Sequence, residues 1–154
     1  MPLAALPGND LSLCIPDLKS KKKDAALAEM AAAAEAAGVV TESDLLLELL
    51  KLRERLGTSS LGKAVALPHA RSLTIPHARI LVARSTRGID WQAPDDVPVQ
   101  LVMLILGPAE WSDDAFHALV ARAAASFRLQ RTRQKLLSAP SAQEFALVSR
   151  QALA

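Results

Sequence analysis

Three histidines, His69, His77 and His117, are the side chains of this sequence best suited to nucleophilic or acid–base chemistry. An imidazole is a good nucleophile and is partly neutral near physiological pH. His69 has the most suggestive surroundings. It follows Pro68 and the short apolar run Ala64 to Leu67, and the hydroxyl residues Thr58, Ser59 and Ser60 stand just upstream. Arg53 and Arg71 are close in sequence and could hold an anion. A ring nucleophile at the end of a strand, near hydroxyls and guanidinium groups, suits chemistry on a charged group. The same residues also fit a plainer role, a histidine hydrogen-bonded where a strand ends. On the residues alone both readings stay open. His77 falls in a loop before the next strand and reads as structural or solvent-exposed.

Other chemistries leave no trace. There is no phosphate-binding Walker loop, no dinucleotide fingerprint and no nucleophile-elbow serine. The only cysteine is Cys14, so no internal disulfide can form and the cysteine pairs of zinc sites are missing. The histidine spacings match no standard ligand pattern, and neither a metal nor another cofactor is expected. A free thiol fits a reducing compartment, and the first ten residues lack the basic-then-apolar order of a signal peptide. The expected location is therefore the cytoplasm. No apolar stretch is long enough to span a membrane. Lys and Arg number 18 against 16 Asp and Glu, a balance that does not indicate a nucleic-acid binder. The local basic clusters, Lys19 to Lys23 and Arg128 to Lys135, read as solvated helix surface or as a docking surface for an acidic partner.

The chain of 154 residues fits one domain, and about half of it is hydrophobic, with few aromatics and no Tyr. Ala, Leu and Val must fill the core. Residues 1–10 read as a loose entry segment and 11–154 as the domain proper. Leu11, Leu13 and Ile15 alternate with Ser12 and Cys14, predicting a short edge strand ended by Pro16. Asp24 to Ala37 is the strongest helix former, with Gly38 as its stop. A weak capping signal at Thr41 and Asp44 opens a second helix that runs to about Arg55, before Gly57. Thr58 to Lys63 reads as a polar loop. Ala64 to Leu67 reads as a strand, because Pro68 disfavours helix at Leu67, with His69 just beyond its end. Arg79 to Ser85 predicts a strand with Ile80, Val82 and Arg84 on one face. Ile89 to Asp96 is turn-rich. Val99 to Leu106 is almost continuously apolar, as in a central strand covered on both faces, and Gly107 and Pro108 close it. Helices follow at Ser112 to Phe127, Arg131 to Leu137, and from a Ser141–Glu144 capping box to about Ala152. The expected fold is α/β: a single-domain sandwich with a central mixed, roughly five-stranded sheet flanked by helices.

Several ordered segments carry a resemblance. Leu52 to His69, with its Arg53-Glu54 pair, its Gly57-Thr58-Ser59-Ser60-Leu61-Gly62 loop and its Ala66-Leu67-Pro68-His69 ending, resembles the fructose/mannitol-type enzyme IIA family of the bacterial phosphotransferase system. That family includes nitrogen-regulatory members. Gly88-Ile89-Asp90-Trp91 is similar to the family's Ile-Asp-Phe turn, and Pro98-Val99-Gln100-Leu101-Val102 to its Pro-Val-Asp-Leu strand. Together the segments span nearly the whole chain.

The resemblance implies that His69 accepts a phosphoryl group from a phosphohistidine carrier of the HPr type. It also implies that the group can pass to a IIB partner or a regulatory target. Thr58 and Ser59 would help bind the phosphoryl oxygens, and Arg53 would add positive charge, unless it is spent in an ion pair with a nearby glutamate. His117 is the candidate second histidine. Counting back from Arg128, however, puts Phe116 at the family position, and one residue turns a helix by about 100°. Ser60 and Ala64 stand where the family has glycines, which reduces the freedom of the loop. A lone IIA-like domain points to regulation rather than sugar uptake. The alternative is an interaction module that keeps the fold without efficient phosphotransfer.

Overall fold

The computed structural model describes residues 11–153. The expected loose segment 1–10 lies outside them. In chain order the elements are β1 (Leu11–Ile15), α1 (Lys23–Ala36), α2 (Ser43–Leu56), β2 (Ser60–Gly62), β3 (Val65–Ala66), β4 (His69–Ser72), β5 (Arg79–Ile89), β6 (Val99–Pro108), α3 (Asp113–Arg128), α4 (Gln130–Ser138) and α5 (Ala142–Leu153).

One mixed sheet runs in the order β1-β5-β6-β3-β2, with β4 also paired to β6. Strand β6 organises it. It lies antiparallel to β5 and parallel to both β3 and β4, which share its other edge in succession. Its apolar run is explained by cover on both faces. Val102, Leu104 and Leu106 join the core under α1 and α2. Leu101, Met103 and Ile105 join the core under α3, α4 and α5. Alternate residues of a strand point to opposite faces, so each face needs its own apolar set, and β6 supplies both.

The helices bury faces that suit these layers. On α1 the buried residues are Ala26, Leu27, Met30, Ala31 and Ala34, small side chains that let the helix lie close to its neighbours. Gly38 ends it in a left-handed turn at φ +76°, and its N–H returns to the Glu35 carbonyl. Ser112 caps α3 by accepting the Ala115 N–H at 3.1 Å, and Ser141 does the same for Glu144 at the start of α5. Each such cap contributes about 1 kcal/mol. Arg84 is buried on the same face of β5 as Val82. It donates to the Leu136 and Ala139 carbonyls at 2.7 and 2.9 Å and to the Pro16 carbonyl at 3.0 Å. Its guanidinium lies 4.9 Å from the centre of the Phe145 ring. A buried cation is tolerated there because carbonyls at the end of α4 satisfy it.

The sheet has six strands, in keeping with the roughly five expected. Four local expectations need correction. Part of the expected polar loop, Ser60–Gly62, is β2, paired antiparallel to β3. His69 does not lie in a loop beyond a strand but opens β4, opposite Ile105 of β6. Thr41 does not cap α2: its hydroxyl donates to the Thr74 carbonyl, and the first N–H of the helix, that of Ser43, is taken instead by the Glu35 carboxylate at 2.8 Å. Strand β5 also runs four residues past Ser85, to Ile89. Among the described residues, no helix is long and apolar enough to cross a membrane.

Candidate functional site

The break between β3 and β4 builds the site. Strand 65–72 would be continuous along β6 but for Leu67 and Pro68. Proline has no N–H to give the ladder. Its carbonyl is still held by the Ile105 N–H at 3.0 Å, and the Leu67 N–H turns away to the Ser59 carbonyl at 2.9 Å. The Leu67 carbonyl lies 2.8 Å from Nδ1 of His69. A carbonyl can only accept, so Nδ1 carries the proton and donates it. In the neutral ring the other nitrogen, Nε2, then carries the lone pair.

His69 lines an open cleft with Pro68, the 57–59 loop and the last turns of α2. Arg53 stands in its wall, exposed, and forms no ion pair among the described residues. Thr58 is exposed, and its Oγ1 accepts the Ser60 N–H at 3.1 Å. Ser59 Oγ is buried and has no hydrogen-bond partner among the described residues. A buried hydroxyl without a partner costs about 1–3 kcal/mol, so it marks a place where a polar ligand group would be welcome. Arg53, Thr58, Ser59 and His69 are thus brought to one cleft.

His117 is not among the cleft residues. It is exposed on α3, and the residue before it, Phe116, is the one turned inward. The Phe116 ring centre lies 6.0 Å from that of His69. It rests on Gly107, where a Cβ would come within 2.8 Å of the ring. Arg71 is spent elsewhere. Its guanidinium donates to the Trp111 carbonyl at 2.6 Å, pairs with Asp113 and lies over Phe116 at 5.4 Å. That pairing holds the Asp113 carboxyl below its usual range. His77 is exposed between β4 and β5.

Sequence reasoning passed over Glu54, quoting it only as half of a motif. Its side chain is 4% exposed and lines the same cleft. It accepts the Ser59 N–H at 3.0 Å and the Trp91 indole N–H at 2.9 Å, with Lys23 Nζ at 3.8 Å. A signal was available. Leu46, Leu50 and Glu54 are spaced i, i+4, i+8 on α2, which places a carboxylate on the buried stripe. Such a charge persists only when it is paired.

Residues 10–150 match the family model described as "Phosphoenolpyruvate-dependent sugar phosphotransferase system, EIIA 2". The chain belongs to this family of phosphocarrier and regulatory domains. It is 39% identical over 130 residues to a nitrogen regulatory protein of Bradyrhizobium diazoefficiens, covering 84% of this chain and 83% of that one. A fructose-specific EIIA component of Haloferax volcanii is 36% identical over 107 residues, covering 70% and 69%. Among solved structures, nitrogen regulatory protein IIA-Ntr from Neisseria meningitidis superposes with a TM-score of 0.81 at 26% identity, covering 92% of this chain and 97% of that one. The mannitol IIA domain of Escherichia coli, solved in complex with phosphorylated mannitol IIB, shares the fold at a TM-score of 0.74 and 14% identity, covering 91% and 95%.

Proposed function

We propose that this chain is a cytoplasmic phosphocarrier that takes a phosphoryl group onto Nε2 of His69 from an HPr-type phosphohistidine donor. The group then moves to a IIB domain or a regulatory target, or signals by its presence. The observation that carries the reading is the hydrogen bond from Nδ1 to the Leu67 carbonyl. It leaves the lone pair on Nε2 and orients the ring before any donor arrives.

In the step itself, the N–P bond of the donor breaks as the Nε2–P bond forms, and the donor imidazole recovers its lone pair. The His69 ring gains positive charge, which the Leu67 carbonyl stabilises through the Nδ1 proton. The protein need only position the phosphorus and stabilise charge on its oxygens. Arg53 supplies charge and the hydroxyls of Ser59 and Thr58 supply hydrogen bonds. The resulting phosphohistidine adds negative charge and acceptor oxygens at one surface, enough to create or block a binding face. The nitrogen regulatory relatives favour this signalling use.

The test is incubation with phosphoenolpyruvate, enzyme I and an HPr-type carrier, followed by intact mass. One acid-labile phosphoryl increment is expected on the native protein and none on His69→Ala. An unlabelled native protein, or a labelled His69→Ala, contradicts the proposal.

A further inference from the structure

We infer that Glu54 is a positioning residue for phosphotransfer, anchoring a ladder of hydrogen bonds that ends on the His69 ring. The inference rests on His69 being the acceptor. Its basis is a run of three bonds already described. The Glu54 carboxylate holds the Ser59 N–H at 3.0 Å. The Ser59 carbonyl holds the Leu67 N–H at 2.9 Å. The Leu67 carbonyl holds His69 Nδ1 at 2.8 Å.

At each rung one backbone group of a residue is fixed and its other group fixes the next. The coupling is mechanical, because the two groups of Ser59 or Leu67 belong to different peptide units. The same anchor sets two things at once: the place of the unpartnered Ser59 hydroxyl and the tautomer of the acceptor ring. The far side of the carboxylate is tied down by the Trp91 indole and by Lys23, so the anchor is held from α1 and from the turn after β5. Lys23 also balances a charge that would otherwise repel an incoming phosphoryl group.

A carboxylate can accept from both N–H groups. An amide in its place offers one oxygen and turns an NH₂ toward a donor, so Glu54→Gln loses a rung without losing volume. The proposal is tested on the full chain by measuring transfer from a phosphorylated HPr-type carrier over a range of carrier concentrations. Glu54→Gln should lower the rate at saturating donor by about tenfold to a hundredfold, the cost of a misplaced reacting group. The half-saturating donor concentration should stay near the native value, because the docking surface is untouched. Nitrogen-15 spectra of the ring should show the Nδ1–H form dominant in the native protein and reduced in the variant, a change that a merely structural role would not produce. If Glu54→Gln does not fold, Trp91→Phe keeps the carboxylate and removes its indole partner, and the same readouts should move in the same direction. A folded variant with native rate and native tautomer overturns the inference alone. A native protein that takes no label at His69 overturns the acceptor reading and this inference with it.

Discussion

The ring of Phe116 lies against that of His69, with centres 6.0 Å apart and planes inclined at 48°, while His117 faces solvent. The rotation of α3 is set by what it buries. Phe116, Leu119, Ala123 and Phe127 form its inner stripe, and the gap left by Gly107 admits the Phe116 ring. A helix that seats Phe116 on the sheet carries the next residue about 100° away.

His117→Ala should therefore change stability by less than about 0.5 kcal/mol, as surface substitutions do. It should leave labelling at His69 unaltered. Phe116→Ala empties a buried site and should cost about 3–5 kcal/mol. Chemical denaturation of the two variants and intact mass after phosphotransfer check both halves. A His117→Ala protein that no longer takes label would place the second histidine in the chemistry after all.

Ser59→Ala should separate stability from function. Removing a buried hydroxyl that has no partner among the described residues should raise the stability of the unphosphorylated protein by about 1 kcal/mol. The same change removes a group available to the phosphoryl oxygens and should slow labelling several-fold. Thermal melts with and without phosphorylation read the first effect, and a time course of mass increments reads the second.

The turn between β2 and β3 passes through Lys63 and Ala64 at φ +56° and +66°. Both lie in the left-handed region, where a Cβ costs about 1–2 kcal/mol. Two-residue hairpins of this hand favour glycine. Ala64→Gly should raise the urea midpoint by the equivalent of about 0.5–1 kcal/mol, since glycine's greater freedom in the unfolded chain offsets part of the relief. An unchanged slope would confirm that the native compactness is intact.

Acid should release the Arg71–Asp113 pair. The folded carboxyl of Asp113 is held below its unfolded value, chiefly by its hydrogen bond to Arg71. Its stabilising effect is therefore complete above the unfolded value near 3.8 and is lost as pH falls through the lower folded value. Because Asp113 is exposed, the effect is small. Melting temperatures between about pH 2.5 and 5 should fall less steeply in Asp113→Asn than in the native protein.

Periodicity made most elements legible. The long apolar run of β6, the helix stops at Gly38 and Gly57, and the caps at Ser112 and Ser141 all follow from local chemistry, and the structure has them. The strands that were missed are short. Ser60–Gly62 is too brief to show a period of two, and His69–Ser72 has little strand preference of its own. Pairing with β6 decides β4, and tertiary pairing overrides weak propensity.

The sequence by itself determined the layered α/β architecture, the family, and His69 with Arg53, Thr58 and Ser59 as candidates for the site. Those follow from residue type and near-neighbour spacing. The tertiary structure alone decided which nitrogen of His69 is free, that Glu54 anchors the loop, and that Phe116 rather than His117 faces the site. Each of those depends on contacts between segments far apart in the chain, where a fraction of a helical turn or one peptide's orientation selects the partner.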